Sequence, residues 1–115
     1  MIIDDAHYQR MKRAYSSEIA EFLAERALGK TLVTYGELAD RFGGIAQGYG
    51  DRLGGITIFC RDHGLPLLPV IVVNKTTGRP SEGAQLYFDF GIKSEAAMDH
   101  EQARAFQYNW GIIRF

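Results

Sequence analysis

Arg52, Asn74, Lys75 and Arg79 are the residues whose types and setting could meet a phosphate or a base edge. Tyr35, Gln47 and Tyr49 stand beside them in chain order. Lysine and arginine neutralise phosphates, and asparagine and glutamine read base edges. Arg52 opens a helix-forming stretch, where a cation opposes the helix dipole unless an anion is near. Each also has a plainer reading: Tyr35 as an aromatic beside a helix cap, Asn74 as the end of a strand, Arg79 as an ordinary turn arginine. A hydrolase would need a different set, and His63, Asn74, Lys75 and Glu82 are its candidates, gathered around one strand end. A general base must come within hydrogen-bond reach of the proton it takes. His63 beside Arg61 and Asp62 does not meet that need, because adjacent helical residues point in different directions. "KTTGRPSEG" lacks the glycine and lysine spacing of a phosphate loop.

The remaining chemistry is sparse. Cys60 is the one cysteine, set in the apolar run "ITIFC", and reads as a small buried residue. His7, His63 and His100 are scattered, with no zinc-ligand spacing. No metal and no cofactor is expected. Thirteen basic and fourteen acidic residues leave a formal charge of −1, so net charge does not argue for nucleic acid. The distribution is uneven, however: "YQRMKRAY" is basic and "SEAAMDHEQ" acidic, and binding follows the local field. No apolar run approaches the roughly 18 residues of a membrane span. The first ten residues carry two acids before any base and lack a signal-peptide core. A cytoplasmic location and no membrane contact are expected.

The elements that must position these residues can be read from periodicity. A helix is predicted over 8–28, with Met11, Tyr15, Ile19, Phe22, Leu23 and Ala27 on its buried stripe. Alternatively, Ser16 and Ser17 begin the regular part and the basic segment is an irregular arm. Thr34 and Glu37 form a capping box that starts a second, short helix. Leu38, Ala39 and Phe42 face inward, and Gly43–Gly44 ends it. A third helix runs from Asp51 as N-cap to His63, with Leu53, Ile56, Phe59 and Cys60 inward and Gly64 as terminator. Gly54–Gly55 inside it costs about 1 kcal/mol per glycine relative to alanine, which points to close approach by another helix or by a phosphate backbone. Leu67 to Val73 reads as a strand, 74–83 as turn chemistry, and "AQLYFDFGI" as a second strand with alternating Leu86, Phe88 and Phe90. Ser94 caps a last helix that buries Ala97, Met98, Ala103 and Phe106, and Trp110 with "IIRF" closes the core.

The order predicts an α+β single domain over 1–115. It is a winged helix-turn-helix-like three-helix core with a two-stranded wing and an extra C-terminal helix. The third helix would enter the groove, and Arg79 would sit at the wing tip.

Residues 29–83 resemble the C-terminal DNA-binding domain of O6-alkylguanine-DNA alkyltransferases and their alkyltransferase-like relatives. The resemblance rests on the entry "GKTLVTYGELA" from Gly29 to Ala39, on the "RLGG" of Arg52 to Gly55, and on the proline-containing apolar strand "LLPVIVV". It implies that Tyr35 helps rotate the phosphate of a target nucleotide. Arg52 would fill the space left by a flipped base, the usual device for reading a base outside its stack. Aligning Pro69 with the family's strand proline puts Val70, Ile71 and Val72 where the family carries cysteine, histidine and arginine. It also puts Gly78 at the family's turn glycine. A valine has no thiolate to accept an alkyl group, and Cys60 lies upstream, so alkyl transfer is rejected. No catalytic residue is expected.

The reading is therefore a non-catalytic binder of duplex DNA that senses modified or distorted bases. One alternative is a small nuclease or toxin-type hydrolase on the His63 set. Another is a regulator that kept the fold and lost DNA. Tyr87, Phe88, Phe90 and Trp110 would then form a face for self-association or a protein partner.

Overall fold

The computed structural model describes residues 3–81 and 84–115, and Glu82 of the hydrolase set lies outside them. For Gln47 only the backbone is described.

The first predicted helix is two. Helix α1 (Asp5–Arg13) starts at Asp4, whose carboxylate accepts from the His7 N–H, and α2 (Ser17–Leu28) starts at Ser16, which accepts from the Ile19 N–H. Serine at 16 offers the backbone a cap in place of a continued helix, so the chain turns there. The basic segment is thus a capped helix, not an irregular arm. Ile19, Phe22, Leu23 and Ala27 of α2 and Met11 of α1 are buried as the spacing predicts.

The capping box forms. Thr34 accepts from the Glu37 N–H and Glu37 accepts from the Thr34 N–H at the head of α3 (Tyr35–Phe42). A 3-10 turn (Ala46–Tyr49) leads directly into α4 (Gly50–Asp62). This helix begins one residue before Asp51 and has no side-chain cap. Asp51 is drawn elsewhere: its two oxygens bind His7 Nε2 at 3.0 Å and Arg10 Nε at 2.9 Å, both on α1.

Helix α4 is the buried centre of the molecule, with Leu53 through Ile58 and Cys60 all buried. It is therefore not laid along a groove, and only its first residues and its polar end reach solvent. Gly54 and Gly55 explain why α1 can cross it so closely. A Cβ at Gly54 would stand 2.3 Å from Met11 Sδ, and one at Gly55 would stand 2.4 Å from the Met11 carbonyl oxygen. The neighbour that the two glycines admit is a helix of the same chain.

Strand structure is shorter than predicted and paired differently. Within 67–73 only β2 (Val72–Val73) is a strand; a 3-10 turn (Leu68–Ile71) precedes it. Pro69 fixes its own φ and lacks an N–H, so it cannot join a ladder there. β2 pairs in parallel with β1 (Val33–Thr34), Val33 opposite Val72 and Thr34 opposite Val73. The second predicted strand is a helix, α5 (Ala84–Asp89). In it Leu86 and Tyr87 are buried, Phe88 points out, and Gln85 bonds Asp89 one turn on. A six-residue aromatic run fits either period, and only its neighbours decide. The two-stranded hairpin wing is consequently absent among the described residues, and 74–81 is a loop between β2 and α5.

The chain closes with α6 (Glu95–Gln107), capped by Ser94, and a 3-10 turn (Trp110–Ile112). Glu101 and Ala105 form the buried face of α6; Ala97, Met98 and Phe106 are half-buried and Ala103 is exposed. Trp110 is buried and donates to the Ala105 carbonyl, and Ile113 and Phe115 pack onto the core while Ile112 does not. The result is a mostly helical α+β protein around one small parallel sheet.

Candidate functional site

Tyr35 begins α3 but does not face outward. Only 6% of it is exposed, and its hydroxyl accepts from the Ser81 N–H at 2.9 Å. It ties the loop after β2 to the start of α3, which is the core role and not that of a phosphate contact. Tyr49 is likewise corrected. It is buried, and its hydroxyl lies within hydrogen-bond reach of the Leu38 and Gly43 carbonyls, the last polar groups of α3. Tyr49 clamps the α3–α4 turn and is not available to a groove. Gly43 and Gly44, both with φ in the left-handed region, supply the reversal that glycine alone makes cheaply.

Arg52 stays outside. Its guanidinium lies over the Tyr49 ring, 4.8 Å from the centroid, and that ring is fixed by the clamp just described. Asp51 next to it is committed to Arg10 and His7. Burial alone would raise the Asp51 carboxyl, but hydrogen bonds from Arg10 and His7 outweigh it and hold it below the usual carboxylate range. The result is an exposed arginine on a rigid aromatic seat, with its neighbouring negative charge already satisfied.

Asn74 is absorbed by its own turn. Its Oδ1 accepts from the N–H groups of Thr76, at 2.8 Å, and Thr77, and its backbone bonds Arg79 and Gly78. This is the turn-holding role, which removes Asn74 from reading a base edge. Arg79 is not at a free tip either. It binds Glu95, Asp99 and Gln102, all on α6, and so straps the loop to that helix. Lys75 is exposed and, among the described residues, makes no ion pair or hydrogen bond. Of the seven residues expected to meet nucleic acid, Arg52 and Lys75 therefore keep described side chains available to a ligand.

Val70 is fully buried, and its carbonyl accepts from Gln102; its side chain is core. Cys60 is equally buried, and its thiol is pushed up to about 12, chiefly by burial. A thiol this reluctant to ionise is a poor nucleophile. Native protein at pH 8 should therefore resist thiol-specific labelling by 5,5′-dithiobis(2-nitrobenzoic acid), while urea-unfolded protein reacts within minutes. Equal rates in both states would contradict the burial.

His63 stacks on Phe59 with ring centroids 4.1 Å apart and bonds the Phe59 carbonyl through Nδ1. No hydrogen bond or ion pair joins it to Asn74 or Lys75 among the described residues. Among those residues, too, no group of three metal-ligating side chains occurs. The aromatic partner face dissolves in the same way. Tyr87 and Trp110 are core, and Phe90 lies half-buried beneath Arg61. Burial pushes the ionisation of the Tyr87 hydroxyl far up. Phe88 alone is open, at the edge of a cavity of about 410 Å³ formed with Pro80, Ile92, Lys93 and Met98.

One residue of consequence escaped the sequence reading. Glu101 is a buried carboxylate that holds the chain before the 3-10 turn at 68, and its polar identity in the middle of an α6 face was the available signal. Compared with protein-family models, curated proteins and solved structures, the chain matches none.

Proposed function

We propose that this chain binds duplex DNA without chemical turnover, at the corner where α3 turns into α4. In this reading α3 and α4 act as a helix-turn-helix pair, without a hairpin wing among the described residues, and the resemblance to the alkyltransferase-like proteins is confined to these helices and the segment that follows them. Contact is made by the first turn of α4 and not along its length. Recognition helices of that class put their N-terminal residues on base edges, and the burial of the rest of α4 suits such end-on contact. The observation that carries the reading is Arg52, exposed, seated on Tyr49 and beside an already neutralised Asp51. Lys75 would add a phosphate contact. The aliphatic residues at 70–72 leave no acceptor for a transferred group, so binding is the whole activity.

Anisotropy of a labelled duplex at about 50 and 200 mM salt tests it, since each phosphate neutralised contributes a slope of roughly −0.9 in log affinity against log salt. Arg52→Ala should weaken binding about tenfold, within the 1–3 kcal/mol span of a specific arginine contact. A duplex carrying O6-methylguanine should bind more tightly than its unmodified counterpart if base sensing is part of the function. No anisotropy change with either duplex at low salt would end the DNA reading.

A further inference from the structure

We propose that the cavity between α5 and the start of α6 binds a small aromatic carboxylic acid, with its ring on Phe88 and its carboxylate at Lys93. The inference stands apart from the DNA reading, because neither Arg52 nor Lys75 lines the cavity.

The stretch "YFDFGIKS" builds one side of it. Helix α5 ends on Gly91, whose φ of 103° lies in the left-handed region. The Gly91 N–H donates to the Phe88 carbonyl at 3.1 Å and the Ile92 N–H to the Tyr87 carbonyl at 2.9 Å. These are the paired bonds of a glycine-terminated helix end. They turn the chain back, so Ile92 and Lys93 line the same cavity as Phe88 before Ser94 caps α6. The opposite side is Pro80, held in place because its neighbour Arg79 bonds Glu95 at 3.0 Å, Gln102 at 2.9 Å and Asp99. Met98 of α6 completes the enclosure, which measures about 410 Å³. That volume falls within the range of small-molecule pockets.

The charges around it are settled, with one exception. Glu95 is taken by Arg79, and Asp89 accepts from the Ile3 N–H at 2.8 Å and from Gln85 at 3.0 Å. Lys93 makes no ion pair or hydrogen bond among the described residues. Its Nζ lies 5.3 Å from the centre of the Phe88 ring, and Phe88 is 44% exposed. A ligand ring laid against Phe88 therefore brings a carboxylate attached to it within reach of Lys93. Offset or edge-on ring contact suits Phe88, and the Met98 thioether is a favourable neighbour for an aromatic edge. A single lysine is a point charge and matches a carboxylate. A phosphate ester would call for a guanidinium fork as well, and the fork of Arg79 is already occupied by α6.

The test titrates the whole chain into 2-naphthoate, and separately into 2-naphthylmethanol as its uncharged counterpart, following the ligand resonances by nuclear magnetic resonance. Wild-type protein should bind the acid at a single site, about fivefold more tightly than the alcohol. Lys93→Gln should remove that fivefold advantage, the upper end of what an exposed ion pair contributes, and leave the alcohol unchanged. Phe88→Ala should weaken both ligands about tenfold, through the lost ring contact. Both side chains are exposed, so the variants keep the core, which circular dichroism would verify. No binding of the acid up to millimolar concentration would overturn the site. Equal affinity of wild type for acid and alcohol would overturn the role of Lys93. Binding undiminished by Phe88→Ala would place the ligand elsewhere and overturn the proposal as a whole. None of these outcomes touches the duplex titration, so the two readings fail separately.

Discussion

Alanine at Gly55 should destabilise the protein by about 3 kcal/mol, the upper end of what an overpacked methyl group costs. The added Cβ would lie 2.4 Å from the Met11 carbonyl oxygen and 2.9 Å from the Tyr15 backbone nitrogen and Cα. All three atoms belong to the backbone where α1 ends, so no rotamer change relieves the clash; the helix must move. Moving it breaks contacts that reinforce one another. Met11 leaves the buried cluster with Ile58 and Leu86, and Arg10 and His7 shift off Asp51. Alanine at Gly54 makes the informative contrast. Its Cβ meets the Met11 side chain, at Sδ and Cγ, and a flexible thioether can turn aside. Gly54→Ala should therefore cost about half as much, and part of that cost should disappear when Met11 is shortened to alanine, which removes both Sδ and Cγ, whereas Gly55→Ala should gain nothing from the same change. Urea unfolding measures both, since small domains lose roughly 1–3 kcal/mol per molar urea. A Gly55→Ala midpoint within about 0.3 M of wild type would show that α1 is not held there.

The same two glycines mark how far sequence reasoning reaches. Their cost in a helix interior announced a close approach, but the chain alone did not say whether a helix or a nucleic-acid backbone was the visitor. Local chemistry was legible wherever both partners lie within one turn. The Thr34–Glu37 capping box formed as read, as did the Ser94 cap and the buried stripe of α2. Chemistry shared with distant residues was not. Asp51 has the composition of an N-cap, yet Arg10 and His7, separated from it by 41 and 44 positions, take its carboxylate. Arg79 has the setting of a free turn arginine until Glu95 and Gln102, 16 and 23 positions on, claim it. The segment after residue 83 failed for another reason. Alternating Leu86, Phe88 and Phe90 fits a strand, but Leu86 and Phe90 also share a helix face at i and i+4. Burial of Leu86 together with Tyr87, its immediate neighbour, belongs to the helical choice. Of the candidate residues, Arg52 keeps the exposed place in the first turn of a helix that the sequence reading assigned it, because that place is a local fact. Tyr35 and Tyr49 were misread because polar aromatic side chains serve a core as readily as a surface, and only burial separates the two.

Glu101 offers the second large effect, and it separates a hydrogen bond from a charge. The residue is 7% exposed, and its Oε2 accepts from the Leu67 N–H at 2.7 Å while Oε1 meets Arg104 at 2.7 Å. Leu67 is itself buried and stands just before the 3-10 turn that delivers Val70 and β2, so this carboxylate anchors the route into the sheet. Glu101→Ala would leave a buried N–H without a partner and remove a hydrogen bond to a charged acceptor. Together these are worth about 2–3 kcal/mol. Arg104, about half exposed, regains water and adds little, as exposed ion pairs contribute at most about 1 kcal/mol. Glu101→Gln keeps an acceptor oxygen for Leu67 and loses only the ion pair, so it should cost about 1 kcal/mol or less. If glutamine proves as damaging as alanine in urea unfolding, the charge and not the Leu67 bond holds α6 to the chain. If alanine proves harmless, water has taken the carboxylate's place and the anchor assigned to Glu101 does not exist. The large gap expected between the two variants follows from geometry. The Leu67 amide lies between α6 and the loop after α4, and its hydrogen bond to Glu101 is buried.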